Sequence, residues 1–231
     1  MSTTHTAARQ VKGRRTSVAL KLVMAVTGII FLLFLLAHMY GNLKAFSGQQ
    51  AFDDYAHHLR VLGEPMLPNS GFLWVMRVGL IVSLVLHVWS SALLVRRKRA
   101  ARSQKYVVKK SIASSLSSRT MMWGGLALLL FIIFHILQFT TLTIQVTGSH
   151  DSPYERLVAD FGVWWVVAVY VLAMIALGMH LRHGIWSAVQ TLGWSNRTRQ
   201  PMIKAAALVV ALVVVVGFLA TPLAIAFGII N

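Results

Sequence analysis

Five stretches of this chain are long enough to cross a lipid bilayer as helices and carry almost no charge. Few folds can accept such stretches. A helix rises about 1.5 Å per residue, so roughly 20 mostly apolar residues cover the hydrocarbon core. Residues 18–43, 72–95, 121–145, 161–190 and 203–230 reach that length, the fourth ending in an interfacial turn after its apolar part at 161–181. Only 12% of the 231 residues are charged and 57% are hydrophobic, whereas soluble domains average about twice that charged share. No water-soluble fold hides so much apolar surface. The sequence therefore predicts an all-α integral membrane protein: a five-transmembrane-helix bundle forming one membrane domain over 17–231, preceded by a basic tail over 1–16.

The net charge of +16 would suggest nucleic acid in a soluble protein, but here the bases lie between apolar runs and read as membrane topology. No nucleic-acid partner is expected, and membrane lipids are. Arg9, Lys12, Arg14, Arg15 and Lys21 precede or open the first run, RRKRAARSQKYVVKK and Arg119 lie between the second and third, and Arg182, Arg197, Arg199 and Lys204 lie between the fourth and fifth. The other two connections hold all six acidic residues, Asp53, Asp54, Glu64, Asp151, Glu155 and Asp160. Against these stand only Lys44, Arg60, Arg156 and, just inside the second run, Arg77. By the positive-inside rule the N-terminus is cytoplasmic and the C-terminus outside. The first run is too long for a signal-peptide core and reads as a retained helix. Cysteine is absent, which excludes disulfides, thiolate-held iron–sulfur clusters and c-type haem attachment within this chain. In the connection from 44 to 71, Phe52, Tyr55, Leu59 and Leu62 recur at helical spacing, as in a short helix lying on the outer surface.

Nine histidines are present, and four sit inside apolar runs, one on each of the first four: His38, His87, His135 and His180. Ionisable side chains in a bilayer are costly and mark function more often than not. One such histidine is as easily a helix–helix hydrogen-bond partner, but four are harder to dismiss. Their depths sort them. His38 lies about 30 Å and His135 about 21 Å from the cytoplasmic ends of their helices, His87 about 13 Å and His180 about 3 Å. That gives an outer pair, His38 with His135, and an inner pair, His87 with His180. Two imidazoles at each of two levels suit two b-type haems, each held by a pair of histidines.

Gly28, Gly124, Gly125 and Gly178 lie near these positions and would let a flat macrocycle approach, although close helix packing explains each one equally well. Arg119, Trp123, Arg182 and His183 are placed to meet the propionates of the inner haem, and interfacial anchoring accounts for them too.

The motifs SVALKLVMAVTG and LAHMYGNLKAF, LHVWSSALL, SRTMMWGG and FHILQFT, and HLRHGIWSAVQTLGWSN resemble the first four helices of the cytochrome b subunit of succinate dehydrogenase and fumarate reductase, in its dihaem form. The resemblance spans nearly the whole chain apart from the tail and last run. It implies two haem b groups, the proximal on His87 and His180 and the distal on His38 and His135. It also implies an iron–sulfur subunit and a flavoprotein subunit as partners, and quinone, typically menaquinone, as electron acceptor or donor. The setting it implies is a multi-pass subunit in a bacterial cytoplasmic (inner) membrane. Dicarboxylate chemistry belongs to the partner subunits. Some members carry a membrane glutamate just before the fourth ligand, where this chain has Gly178 and Met179, so a glutamate-based proton route is not expected. Glu64 with His58 or Tyr55 forms an outer quinone candidate; Ser17, Lys21, Trp186 and Gln190 form an inner one.

Two other readings stay open. A cytochrome b of another quinone-linked complex has its ligands two to a helix on two helices, unlike the one-per-helix pattern here. A transporter or haemless structural anchor is the other. Transporters show broken helices and buried charge near the midplane, and a haemless anchor leaves four imidazoles in an apolar bundle without a task.

Overall fold

The computed structural model describes residues 3–100 and 116–231, with side chains described for 17–100 and 121–231. Among these residues the chain is all α: α1 (Thr3–Leu43), α2 (Gln49–Val61), α3 (Gly71–Ala100), α4 (Leu116–Phe139), α5 (Pro153–Phe161), α6 (Trp164–Thr191) and α7 (Gln200–Ala226). Five segments are long and apolar enough to span a membrane: Ser17–Ser47, Gly71–Ala100, Met121–Phe139, Trp164–Thr191 and Gln200–Ala226. The two short helices, α2 and α5, lie in the connections at one end of the bundle, hereafter the loop end. The opposite, basic end carries the starts of α4 and α7 and the ends of α3 and α6.

Apolar side chains face outward on every span. Val18, Leu33, Val75, Val85, Leu130, Leu172 and Val216 are 61–68% exposed, a surface stable only in lipid. Exposed tryptophans mark both ends, Trp74 and Trp164 at the loop end and Trp123 and Trp194 at the basic end, where amphipathic rings sit at headgroup level.

The buried core follows α6. Val166, Val167, Tyr170, Ala173, Met174, Leu177 and Leu181 are buried and recur every three to four residues, which puts them on one face of a helix. That face meets Ala207, Ala211 and Val214 of α7. Gly178 lies in this seam, where an added Cβ would stand 2.9 Å from Val215 Cγ2. It is a close-packing glycine of α6 on α7. α6 also packs on α4 and α1, while α1 packs on α3, α6 and α7.

Four spans have ends that differ from the sequence expectation, the second running on to Ala100 instead of stopping near 95. The third span stops at Phe139 rather than near 145. There the amides of Thr140 and Thr141 both turn to Ile136 O, the Ile144 amide bonds Leu137 O, and Leu142 takes a left-handed φ of 56°. Threonines at 140, 141 and 143 favour such local bonding over continued helix. The fourth span starts at Trp164, because residues up to Phe161 form the separate helix α5, whose N-cap Ser152 accepts the Glu155 amide. The fifth runs from Gln200 to Ala226, with Pro201 in its first turn and Gly228 at φ 69° just past its end, the usual placing of these two residues. The expected outer-loop helix is present as α2, entered through Gly48 at φ 89°, a conformation that costs glycine little. The α1 backbone continues back through 3–16 without a break.

Candidate functional site

The four intramembrane histidines meet in two pairs inside the bundle. The rings of His38 on α1 and His135 on α4 lie 5.8 Å apart, centroid to centroid, and those of His87 on α3 and His180 on α6 lie 6.3 Å apart. The first pair sits nearer the loop end, the second nearer the basic end. Neither α1 with α4 nor α3 with α6 is a closely packed pair, so each histidine pair bridges a space between helices.

Each space is lined by rings and small residues. Phe34 stacks on His38 at 5.3 Å, Phe218 of α7 lies 5.7 Å from it, and Phe131 stacks on His135 at 5.8 Å. At the other pair, Phe31 meets His87 edge-on at 5.9 Å. A Cβ added at Gly28 would lie 3.8 Å from His87 Cε1, and one at Gly125 would lie 3.5 Å from His180 Cε1. Each of these glycines thus faces a histidine ring at van der Waals distance. Around an added Cβ at Gly124 there is open space.

Among the described residues, two of the four imidazoles have a polar partner on Nδ1. His87 Nδ1 is 2.9 Å from Thr27 Oγ1. That hydroxyl also lies 2.7 Å from Val23 O and 3.2 Å from Met24 O in its own helix. His135 Nδ1 is 2.9 Å from Tyr170 Oη. Tyr170 donates to Gln138 Oε1 at 3.0 Å, and Gln138 Nε2 donates to Asp160 Oδ2 at 2.7 Å. Gln138 and Asp160 are 0% and 2% exposed. Asp160 reads in the sequence as one of the loop acids, yet α5 carries it under the bundle rim. By contrast, His180 Nδ1 is buried with no hydrogen-bond partner among the described residues, as are Ser90 Oγ and Trp186 Nε1.

The chemistry of the donor set, two neutral imidazoles at each level with glycines facing the rings, suits a haem group, which His38 with His135 and His87 with His180 would hold. Among the described residues no three histidine or acidic side chains converge on a point as a protein-only metal cage requires.

The remaining sequence candidates scatter. At the basic end, His183 and Trp186 pack 5.6 Å apart with Lys204 Nζ 5.4 Å from the indole ring. Arg182, Lys21, Gln190 and Trp123 are exposed. Arg97 donates to Ser17 Oγ at 3.0 Å, tying α3 to α1. The Arg119 side chain lies outside the described residues. At the loop end, Tyr55 packs against Gly41, one turn beyond His38, and edge-on to Tyr40. His58 and Glu64 are exposed, and Glu64 accepts from Asn69 at 3.3 Å.

Sequence reasoning missed Thr27, Gln138, Tyr170 and Asp160. A signal was available for the middle two: each is a polar residue in an apolar span, and Gln138 stands one turn from His135.

A multi-span bundle with paired intramembrane histidines defines a class, the membrane cytochromes b, and comparison with known families narrows it. The family model described as Succinate dehydrogenase/Fumarate reductase transmembrane subunit matches residues 95–220. The chain belongs to that family: it is a multi-pass membrane protein that serves as the membrane cytochrome b subunit of such a complex, whose dicarboxylate site lies in other subunits. Neither the comparison with curated proteins nor that with solved structures finds a match.

Proposed function

We propose that this chain is the dihaem membrane anchor of a succinate:quinone oxidoreductase, passing electrons between an iron–sulfur subunit and a quinone, with menaquinone the favoured type. The observation that carries this reading is the meeting of four imidazoles in two pairs, 5.8 and 6.3 Å apart, between helices that do not otherwise pack. His38 and His135 hold the distal haem; His87 and His180 hold the proximal one. When bound, haem b supplies reversible one-electron transfer. The chain's own part is to fix the imidazoles, keep water away with apolar helix faces, and offer quinone a polar edge at the lipid boundary.

Gly28 and Gly125 leave room beside the proximal ligands, and Arg119, Trp123, Arg182 and His183 are the candidate propionate contacts at the basic end. For quinone, two edges are available. Among the described residues the buried Trp186 indole N–H has no acceptor, which makes it a candidate donor to a quinone carbonyl, and Ser17, Lys21 and Gln190 are the other candidates at this end. Tyr55, His58 and Glu64 form the loop-end alternative, of which Tyr55 is nearest His38. The basic end faces the cytoplasm of a bacterium and docks the iron–sulfur subunit, which in turn carries the flavoprotein. Residues 17–231 are then a single membrane domain and 1–16 a basic cytoplasmic tail.

The test is a low-temperature optical redox titration of the intact complex. Two b-type components titrating separately are expected. A complex that assembles with its soluble subunits but has no dithionite-reducible haem band would overturn the reading in favour of a haemless anchor.

A further inference from the structure

We propose that Asp160 sets the direction of a buried hydrogen-bond chain that holds His135 in the tautomer leaving Nε2 free for iron. This rests on the dihaem reading and adds a positioning role for residues that reading does not use.

An ionised carboxylate only accepts hydrogen bonds. Both oxygens of Asp160 are engaged, Oδ1 by Thr147 Oγ1 and Oδ2 by Gln138 Nε2, each at 2.7 Å, short as charge-assisted bonds are. Thr147 therefore has no proton left for His150, whose Nε2 lies 2.9 Å away and must donate. Gln138 spends its amide N–H on Asp160, so its carbonyl faces Tyr170. A carbonyl cannot donate, so the single phenolic proton of Tyr170 goes to Gln138 Oε1. The phenol oxygen then meets His135 Nδ1 as an acceptor. Nδ1 must carry the ring proton, and Nε2 keeps its lone pair. Reversing any one link reverses all those after it, because each group has only one way left to bond. Gln138 and Tyr170 are 0% and 7% exposed, so no water competes at those links.

The proximal site reaches the same tautomer by different means. The hydroxyl proton of Thr27 goes to Val23 O, which leaves Oγ1 an acceptor for His87 Nδ1–H. A change at Asp160 should therefore reach the distal site only. That asymmetry is an internal control.

Asn at 160 can present an N–H where the carboxylate accepts. Gln138 can then flip, Tyr170 can donate to Nδ1, and His135 is driven to the Nε2–H tautomer, which cannot bind iron.

The test uses the full complex with its soluble subunits and measures haem per protein, the low-spin electron paramagnetic resonance signals and both midpoint potentials. In Asp160→Asn the distal haem content is expected to fall while the proximal signal and potential stay. In Tyr170→Phe the distal haem is expected to remain, with its potential shifted upward, because the imidazole loses the acceptor that makes it more electron-donating. The double variant Asp160→Asn/Tyr170→Phe is expected to regain distal haem, since no phenol is left to force the wrong tautomer. Packing damage from Asp160→Asn would not be repaired in this way. A wild-type complex without two haems defeats the dihaem reading itself. Two haems in wild type with an unaltered distal site in Asp160→Asn overturn the inference alone, and so does a loss that Tyr170→Phe does not restore.

Discussion

A neutral imidazole buried among leucines and phenylalanines carries two nitrogens that each want a partner, and leaving one unmet costs of order 1–3 kcal/mol. The bundle meets Nδ1 of His87 with Thr27 and of His135 with Tyr170, whereas Nδ1 of His180 has no partner among the described residues. Such imidazoles are tolerated if Nε2 serves a metal. Ala at 38 or 135 should then remove one haem and leave the other; Ala at 87 or 180 should remove the second and also weaken attachment of the iron–sulfur subunit. Haem-to-protein ratios from pyridine haemochrome spectra decide this, and loss of both haems in an assembled single variant would argue against separate sites. The glycines separate by the same logic. Gly178→Leu drives a side chain into Val215 and should cost about 1–3 kcal/mol through overpacking, read as an earlier thermal transition in detergent with no preference between haems. Gly125→Leu fills space beside His180 instead and should lower the proximal haem content selectively. Sequence alone treats these glycines alike. Which helix each one faces is a tertiary fact, and spans apolar all round give no periodicity from which to read it.

At the scale of elements, the spans were legible because length against bilayer thickness is a strong constraint, and their ends were not. Nothing in the run 121–145 announces a stop at Phe139; the stop comes from Thr141, Thr143 and Leu142 acting together in a short capping turn. α5 was hidden for a related reason: Phe161 reads as the start of an apolar span, yet its ring belongs to a cluster with Phe139 and Tyr170. α5 matters because it brings Asp160 beneath the rim, and α2 braces it. Asp53 Oδ1 accepts the Tyr154 amide at 3.1 Å, and Gln49 Nε2 reaches Glu155 at 3.1 Å. Ser152 caps α5, and replacing such a cap by Ala costs about 1 kcal/mol. Ser152→Ala should therefore speed amide exchange across 154–161 roughly fivefold, with α6 unchanged below its first turn. Exchange that stays at the wild-type rate would mean that the α2 brace alone holds α5.

For the whole molecule the deciding quantity is the difference in Lys and Arg between the two ends. All six acids lie in the loop-end connections, while Arg97, Lys98 and Arg99 crowd the last turn of α3 at the basic end, with Arg96 just before it. Lys and Arg close to a span are retained on the cytoplasmic side during insertion, whereas acids have little influence. The first four spans alternate in direction, so one retained cluster commits its neighbours too, and α7 follows because Arg197, Arg199 and Lys204 precede it on the same side. A reporter active only outside the cytoplasm, fused after Asn231, should be active; fused within 101–115 it should be silent. Replacing Arg96, Arg97, Lys98 and Arg99 by Gln leaves the tail bases and Arg182 in place. That variant should give mixed orientations in place of a clean inversion, visible as partial activity of the 101–115 fusion. Mixed insertion should also lower the share of chains that capture the iron–sulfur subunit, because only cytoplasmic basic ends bring His87 and His180 within its reach. If the Gln variant stays uniformly oriented and still loses the partner, these four bases act in docking and not in topology.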